Sequence, residues 1–186
     1  MLYSTPICEF GRVAPAFNLP SVDGKHYSIS DIRAPYGFVI MFICNHCPYV
    51  KAILERLVTD AKVLQANGIG VAAIMSNDIS YNAEDSFENM RMIAKKYTFT
   101  FPYLIDESQN VARAYGAVCT PDFFGFNTNL GLQYRGRIDG YGLDPAPPSA
   151  RRELVEAMMQ VAKTGEGPSG QIASMGCSIK WRGQQS

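Results

Sequence analysis

The sequence predicts an α/β layer fold, and three observations predict it. The apolar run Phe38-Val39-Ile40-Met41-Phe42-Ile43 is too short for a buried helix and reads as a central strand. Val50, Ile53, Leu54, Leu57, Val58, Ala61 and Leu64 then recur with helical period, and Asn67-Gly68 is a suitable C-cap pair to end that helix. Ile69 to Met75 is a second buried run. Two such strands joined by a helix make a parallel pair with a right-handed crossover.

The other elements follow in chain order. Residues 16–19 and 25–29 read as a short hairpin around Val22-Asp23-Gly24. The first central strand spans 37–43, the long helix about 48–66 and the second strand 69–75. Residues 82–97 read as one amphipathic helix, with Asn82 and Asp85 near its start and Lys95-Lys96 in its last turn, as the helix dipole prefers. A short strand at 101–105 and a helix from Ser108 to Tyr115, ended by Gly116, come next. Residues 122–127 and 133–138 form a hairpin through Thr128-Asn129-Leu130-Gly131. Tyr141 to Ser149 holds three prolines and reads as a loop before a final helix at 150–164. The tail from Gly165 is Gly/Ser-rich, but Cys177, Ile179 and Trp181 interrupt it. A lone tryptophan rarely floats free, so the tail is expected to dock. One domain over 1–186 is expected, with 165–186 as its docked tail.

Composition narrows the functional classes. The 17 basic and 17 acidic residues cancel, so no basic field favours nucleic acid or an anionic membrane. No apolar run approaches a membrane span. The opening Met1-Leu2-Tyr3-Ser4-Thr5-Pro6 lacks a basic region followed by an apolar core, so it does not read as a secretory signal, and a cytoplasmic location is expected. Thiols there rest reduced, and any disulfide is transient. Phosphate-cradling and dinucleotide-binding glycine motifs are missing, and no organic cofactor is expected.

The chemistry-bearing motif is Cys44-Asn45-His46-Cys47, followed by Pro48. At a strand-to-helix junction this Cys-x-x-Cys meets a helix N-terminus, where the dipole and free backbone N–H groups favour a thiolate. Cys44 is the candidate nucleophile and Cys47 the candidate resolving thiol. His46 lies between them and would stabilise a neighbouring thiolate when protonated. Cys44 is therefore expected to titrate below Cys47, whose anion desolvation disfavours. The alternative is a metal site. A structural zinc site usually wants a second close pair, but Cys8, Cys119 and Cys177 are singletons and the only histidines are His26 and His46. A metal or iron–sulfur module would have to draw on Cys44, Cys47 and Cys119.

The strand, Cys-x-x-Cys and helix resemble the thioredoxin superfamily. Thr120-Pro121 resembles that superfamily's cis-proline loop, and the opening from Gly11 to Lys25 is similar to the N-terminal hairpin of the peroxiredoxin and alkyl hydroperoxide reductase branch. Cys44 to Val50 and the tail Gly176-Cys177-Ser178-Ile179-Lys180-Trp181 look like a peroxiredoxin-like, thioredoxin-fold group. The resemblance implies a thioredoxin fold, a central mixed sheet flanked by helices, with an N-terminal hairpin extension. It implies thiol–disulfide oxidoreductase chemistry at Cys44 and Cys47, tuned by Asn45 and His46, with Thr120 and Pro121 beside the substrate. Its partners would be protein or small-molecule disulfides, or peroxides, and an upstream thiol reductant. Cys119 and Cys177 would be additional thiols near the site. The chain departs from the parent patterns. Peroxiredoxins carry Thr-x-x-Cys-Pro, so Cys44 replaces the threonine while Cys47-Pro48 matches the cysteine–proline step. A thiol peroxidase with Cys47 as the peroxide-reactive thiol is the rival enzyme. The superfamily's buried acid is missing from residues 38–43, and Lys51 and Asp78 are the nearest ionisable candidates in sequence.

Overall fold

Alternate residues of the central strand β4 (Phe38–Phe42) serve two different cores. Val39 and Met41 join one apolar cluster, and Phe38, Ile40 and Phe42 join another on the opposite face. This is the two-residue period of a strand covered on both sides, and it explains why the run is continuously apolar. The computed structural model describes residues 2–183; Met1 and residues 184–186 of the expected 1–186 domain lie outside the described residues.

Ahead of β4 lie β1 (Leu2–Ser4), the hairpin β2 (Asn18–Pro20) and β3 (His26–Ser28), and a single helical turn, α1 (Ile29–Ile32). After it come α2 (Pro48–Ala66), β5 (Gly70–Met75), a 3₁₀ turn at Ala83–Asp85, α3 (Phe87–Lys96), β6 (Tyr103–Ile105) and α4 (Asn110–Tyr115). The chain ends with β7 (Cys119–Thr120), β8 (Asp122–Phe126), β9 (Leu132–Gly136), α5 (Glu153–Thr164) and β10 (Met175–Ser178). The main sheet runs β6-β5-β4-β8-β9. β4, β5 and β6 are parallel, and β8 and β9 are antiparallel. Helices α2 and α5 pack on the face of Val39 and Met41, and α4 packs on the face of Phe42. This is the thioredoxin fold with an added N-terminal hairpin. Among the described residues no helix is long and apolar enough to cross a membrane.

Three differences from the sequence reading have local causes. The segment 82–97 is not one helix. It breaks at Ser86, whose hydroxyl accepts from the Asn89 N–H (3.3 Å), because Asp85 is drawn fully into the interior. The second strand of the β8–β9 hairpin ends at Gly136 rather than 138, because the Arg137 N–H turns to the Ile172 carbonyl (2.9 Å). The tail is not merely apposed. β10 sits between β1 and β7 in a second, three-stranded sheet, with Cys177 opposite Thr120 and Ser178 opposite Cys119. Three further contacts hold the tail. The Ser174 hydroxyl donates to the Pro121 carbonyl (2.8 Å), Gln109 donates to the Lys180 carbonyl (2.8 Å), and the Arg113 guanidinium lies 4.2 Å over the half-buried Trp181 ring.

Candidate redox site

The motif begins where β4 ends. Cys47 is the N-cap of α2 and Pro48 its first residue, a position where the missing N–H costs nothing and the fixed φ suits the helix. Antiparallel pairing of β8 with β4 places Asp122 opposite Phe42, so the preceding Thr120-Pro121 segment lies beside the motif. That peptide bond is cis. Thr120 touches both sulfurs: its hydroxyl is 3.2 Å from Cys44 Sγ, and its carbonyl is 3.2 Å from Cys47 Sγ. Cys44 is 1% exposed and Cys47 is 0% exposed. The loop folds inward because Asn45 is tied down, its amide donating to the Glu84 carbonyl (2.8 Å) and its oxygen accepting from Tyr103 (3.0 Å).

The buried acid that residues 38–43 lack is supplied by Asp85, from the 3₁₀ turn after β5. Its carboxylate accepts four hydrogen bonds: from the backbone N–H groups of Asn45 (2.8 Å) and His46 (3.2 Å), from the Asn77 amide (2.9 Å) and from His46 Nδ1 (2.6 Å). Burial alone would raise its pKa, but the bonds from His46 and Asn77 win and hold it below the ordinary carboxylate value. An ionised carboxylate only accepts, so His46 Nδ1 carries the proton and its ring is oriented by Asp85 rather than by a cysteine. The sequence pointed to His46 as a charge for the thiolate; the structure pairs it instead with a carboxylate. Lys51 and Asp78 are elsewhere. Lys51 pairs with Glu84 at the surface, and Asp78 accepts from the Ser80 N–H. No sequence signal marked Asp85 as more than a helix-start acid.

The acidity order of the cysteines is the reverse of the sequence expectation. The Cys47 thiol is pulled down to about 4, first by hydrogen bonding with the Cys44 thiol and then, against the cost of burial, by the thiol and N–H of Cys177 and the N–H of Val50. The Thr120 carbonyl accepts from Cys47 while that thiol is protonated. Cys44 is pushed well above the ordinary thiol value by the same bond with Cys47, by burial and by the Asp85 carboxylate. The two thiols are pushed apart and titrate as one coupled pair, with Cys47 the more acidic. The depressed thiol stabilises the folded state fully above the ordinary thiol value of 9.0, less as pH falls, and not at all below about 4. Reduced protein should therefore show one thiolate by absorbance at 240 nm, with a midpoint near 4. The signal should vanish in Cys47→Ser; its survival there would return the thiolate to Cys44.

The remaining cysteines differ sharply. Cys119 is fully buried, its sulfur turned to the Pro121 carbonyl (3.8 Å), and burial pushes its thiol far up. Cys8 is half-buried and raised to about 11 by desolvation. Cys177 lies beside Cys47. The alternative metal set of Cys44, Cys47 and Cys119 does not converge among the described residues. Instead, ligand atoms of Cys44, His46 and Asp85 lie within 4.8 Å of one another. Asp85 already accepts four hydrogen bonds there, which fills a carboxylate's acceptor sites.

The AhpC/TSA family model matches residues 10–138, from the strand-pairing N-terminal segment through the motif and the cis-proline loop to the end of the β8–β9 hairpin. A solved structure of an uncharacterized conserved protein from Geobacillus kaustophilus is 39% identical with a TM-score of 0.91, covering 100% of this chain and 98% of that one. A hypothetical protein from Sinorhizobium meliloti 1021 is 35% identical with a TM-score of 0.87, covering 97% and 98%. The thiol-disulfide oxidoreductase ResA of Geobacillus thermodenitrificans is 25% identical over 121 residues, and the match spans 64% of each protein's length. With more than half its length matched, this chain belongs to the AhpC/TSA family.

Proposed function

We propose that the protein is a thiol–disulfide oxidoreductase whose redox pair is Cys44 and Cys47. The observation that carries the reading is the two buried sulfurs at the N-terminus of α2, both against the cis Thr120-Pro121 segment. The Cys47 thiolate attacks one sulfur of a substrate disulfide and releases the other as a thiolate. The Cys44 thiol then gives its proton to a departing thiolate and attacks Cys47 Sγ. The second substrate thiol leaves and the Cys44–Cys47 disulfide remains. An upstream thiol reductant returns the pair to the dithiol, which suits a reducing, cytoplasmic setting. A cavity of about 650 Å³ lined by Tyr49, Ile53, Pro121, Phe123, Leu143 and Met175 lies next to the cis-proline loop, and its apolar walls suit the polypeptide flanking a substrate disulfide.

A second reading has one observation in its favour. The low-pKa thiol is the one in the Cys47-Pro48 step, where peroxiredoxin-like chemistry would place it. Attack there on a peroxide oxygen would give a sulfenic acid and release water or an alcohol, and Cys44 would then displace water to form the same disulfide. Insulin-disulfide reduction and hydrogen peroxide consumption, assayed side by side, separate the readings. Wild type should reduce insulin, and Cys47→Ser should lose at least about 100-fold of that rate. Rapid peroxide consumption without insulin reduction would install the peroxidase reading instead.

A further inference from the structure

Both motif sulfurs are almost fully buried, so direct attack on either, by substrate or reductant, needs the site to open. Cys177 is different. It is half-buried and lies in the middle of β10, directly opposite Thr120, the residue that touches both Cys44 and Cys47. β10 packs against α2, whose first cap is Cys47, and the Cys177 side chain packs on the core cluster that contains both motif cysteines. The carbonyl oxygen of Thr120, opposite Cys177 in the sheet, is 3.2 Å from Cys47 Sγ. The strand has little room to drift. A Cβ at Gly176 would stand 1.9 Å from the Thr120 carbonyl oxygen, and Ser174 is bonded to the Pro121 carbonyl. Cys47 is thus flanked by two thiols, one buried and one reaching the surface. This segment lies beyond residues 10–138, the part of the chain that the family match covers.

We propose that Cys177 is a third redox thiol, which exchanges into the Cys44–Cys47 disulfide and carries it to the surface as a Cys47–Cys177 disulfide. The proposal rests on the reading of Cys44 and Cys47 as a redox pair. In the exchange, the Cys177 thiolate attacks Cys47 Sγ. The Cys47–Cys177 bond forms as the Cys44–Cys47 bond breaks, and Cys44 leaves as a thiolate and takes up the proton that Cys177 gave up. One disulfide replaces another, so no oxidant or reductant is consumed. A reductant thiolate then attacks the half-exposed Cys177 sulfur and expels Cys47, and a second thiol resolves the resulting mixed disulfide. Cys47 is the favoured leaving group, because its surroundings stabilise the anion and a low-pKa thiol leaves faster.

The device is gated by oxidation. In the reduced protein Cys177 is held up at about 11 by burial, by its bond to Cys47 and by the Cys47 charge, with Lys180 opposing. Once Cys47 is in a disulfide, its anion is gone. Burial then remains against Lys180, and Cys177 ionises more readily when there is a disulfide to attack.

Trapping tests the juxtaposition without relying on turnover. Cys44→Ser protein treated with oxidised glutathione, digested without reduction and mapped by mass spectrometry should show Cys47 linked to Cys177 as its main product. Cys44→Ala repeats the test should the serine disturb folding. The link should persist in Cys44→Ser/Cys119→Ser. In otherwise wild-type protein, Cys177→Ser should slow reduction of the oxidised pair by glutathione about tenfold. Cys47 recovered as a stable glutathione adduct or joined to Cys119, or an unchanged reduction rate in Cys177→Ser, would overturn the proposal. The insulin assay separates the two failures: a missing Cys47–Cys177 link with wild-type insulin reduction intact removes the relay and leaves the redox pair standing.

Discussion

Replacing Asp85 by alanine should destabilise the protein by about 3–5 kcal/mol, because four inward-facing donors lose a charged acceptor at once. The carboxylate is 0% exposed, and all of its acceptor positions are in use. Its removal leaves two backbone N–H groups of the motif loop, the Asn77 amide and the His46 ring donor without their partner in the interior. Asp85→Asn keeps the shape but turns an NH₂ group toward donors, so its loss should be smaller yet still clear. The acid side gives an independent check. A carboxyl held below its unfolded value of about 3.9 stabilises the fold above that pH and loses the contribution as pH falls through the folded value. Urea unfolding should therefore show the gap between wild type and Asp85→Ala full at pH 7 and shrinking below about pH 4. A gap independent of pH, or a stable Asp85→Ala protein, would mean that the carboxylate does not organise the loop. The same substitution removes a negative charge beside Cys44, so the Cys44 thiol should ionise more easily.

Gly176→Ala should act on the other wall of the site. The added methyl would lie 1.9 Å from the backbone oxygen of Thr120 and 3.1 Å from the ring Cδ of Pro121, in a segment that the motif and β8 hold in place. Overpacking of this kind costs about 1–3 kcal/mol where neighbours can yield. Here the obstacle is backbone, so the upper end is expected, together with separation of β10 from β7. The check is denaturant unfolding combined with maleimide labelling. Cys177 and Cys119 should both label faster in Gly176→Ala. Gly170→Ala, whose methyl would meet nothing within 4 Å, should match wild type. Equal stability and equal labelling in Gly176→Ala would show that the tail does not pack on the cis-proline loop.

These two residues mark where sequence reading stops. β4 and α2 were legible because each states its burial in local periodicity, a continuous apolar strand and then a helical stripe beginning just after Pro48. The motif was legible because two cysteines three apart at a helix start carry their own chemical meaning. The strands of the second sheet were not: β1, β7 and β10 are two to four residues long, and only pairing with one another makes them strands. Asp85 was hidden for a related reason. Local pattern fits an acid at the start of a helix, while its actual partners, Asn45 and His46, lie forty residues back in the chain. The acidity order of Cys44 and Cys47 depends on these long-range neighbours. The hydrogen bond between the two thiols comes first, and Cys177 then favours the anion on Cys47 while Asp85 disfavours it on Cys44, which the tetrapeptide alone does not reveal.

The central claim is that Cys44 and Cys47 are a reversible dithiol–disulfide pair. Its most direct test is a redox titration of the wild-type chain in glutathione buffers of graded potential, with each sample acid-quenched, its free thiols blocked and its disulfides mapped by mass spectrometry. The account predicts one reversible two-electron transition, with loss of two hydrogens and Cys44–Cys47 as the main disulfide, and no intramolecular disulfide in Cys47→Ser. A protein that forms no intramolecular disulfide at any poise, with Cys47 passing instead to glutathione adducts or sulfinic acid, would contradict it.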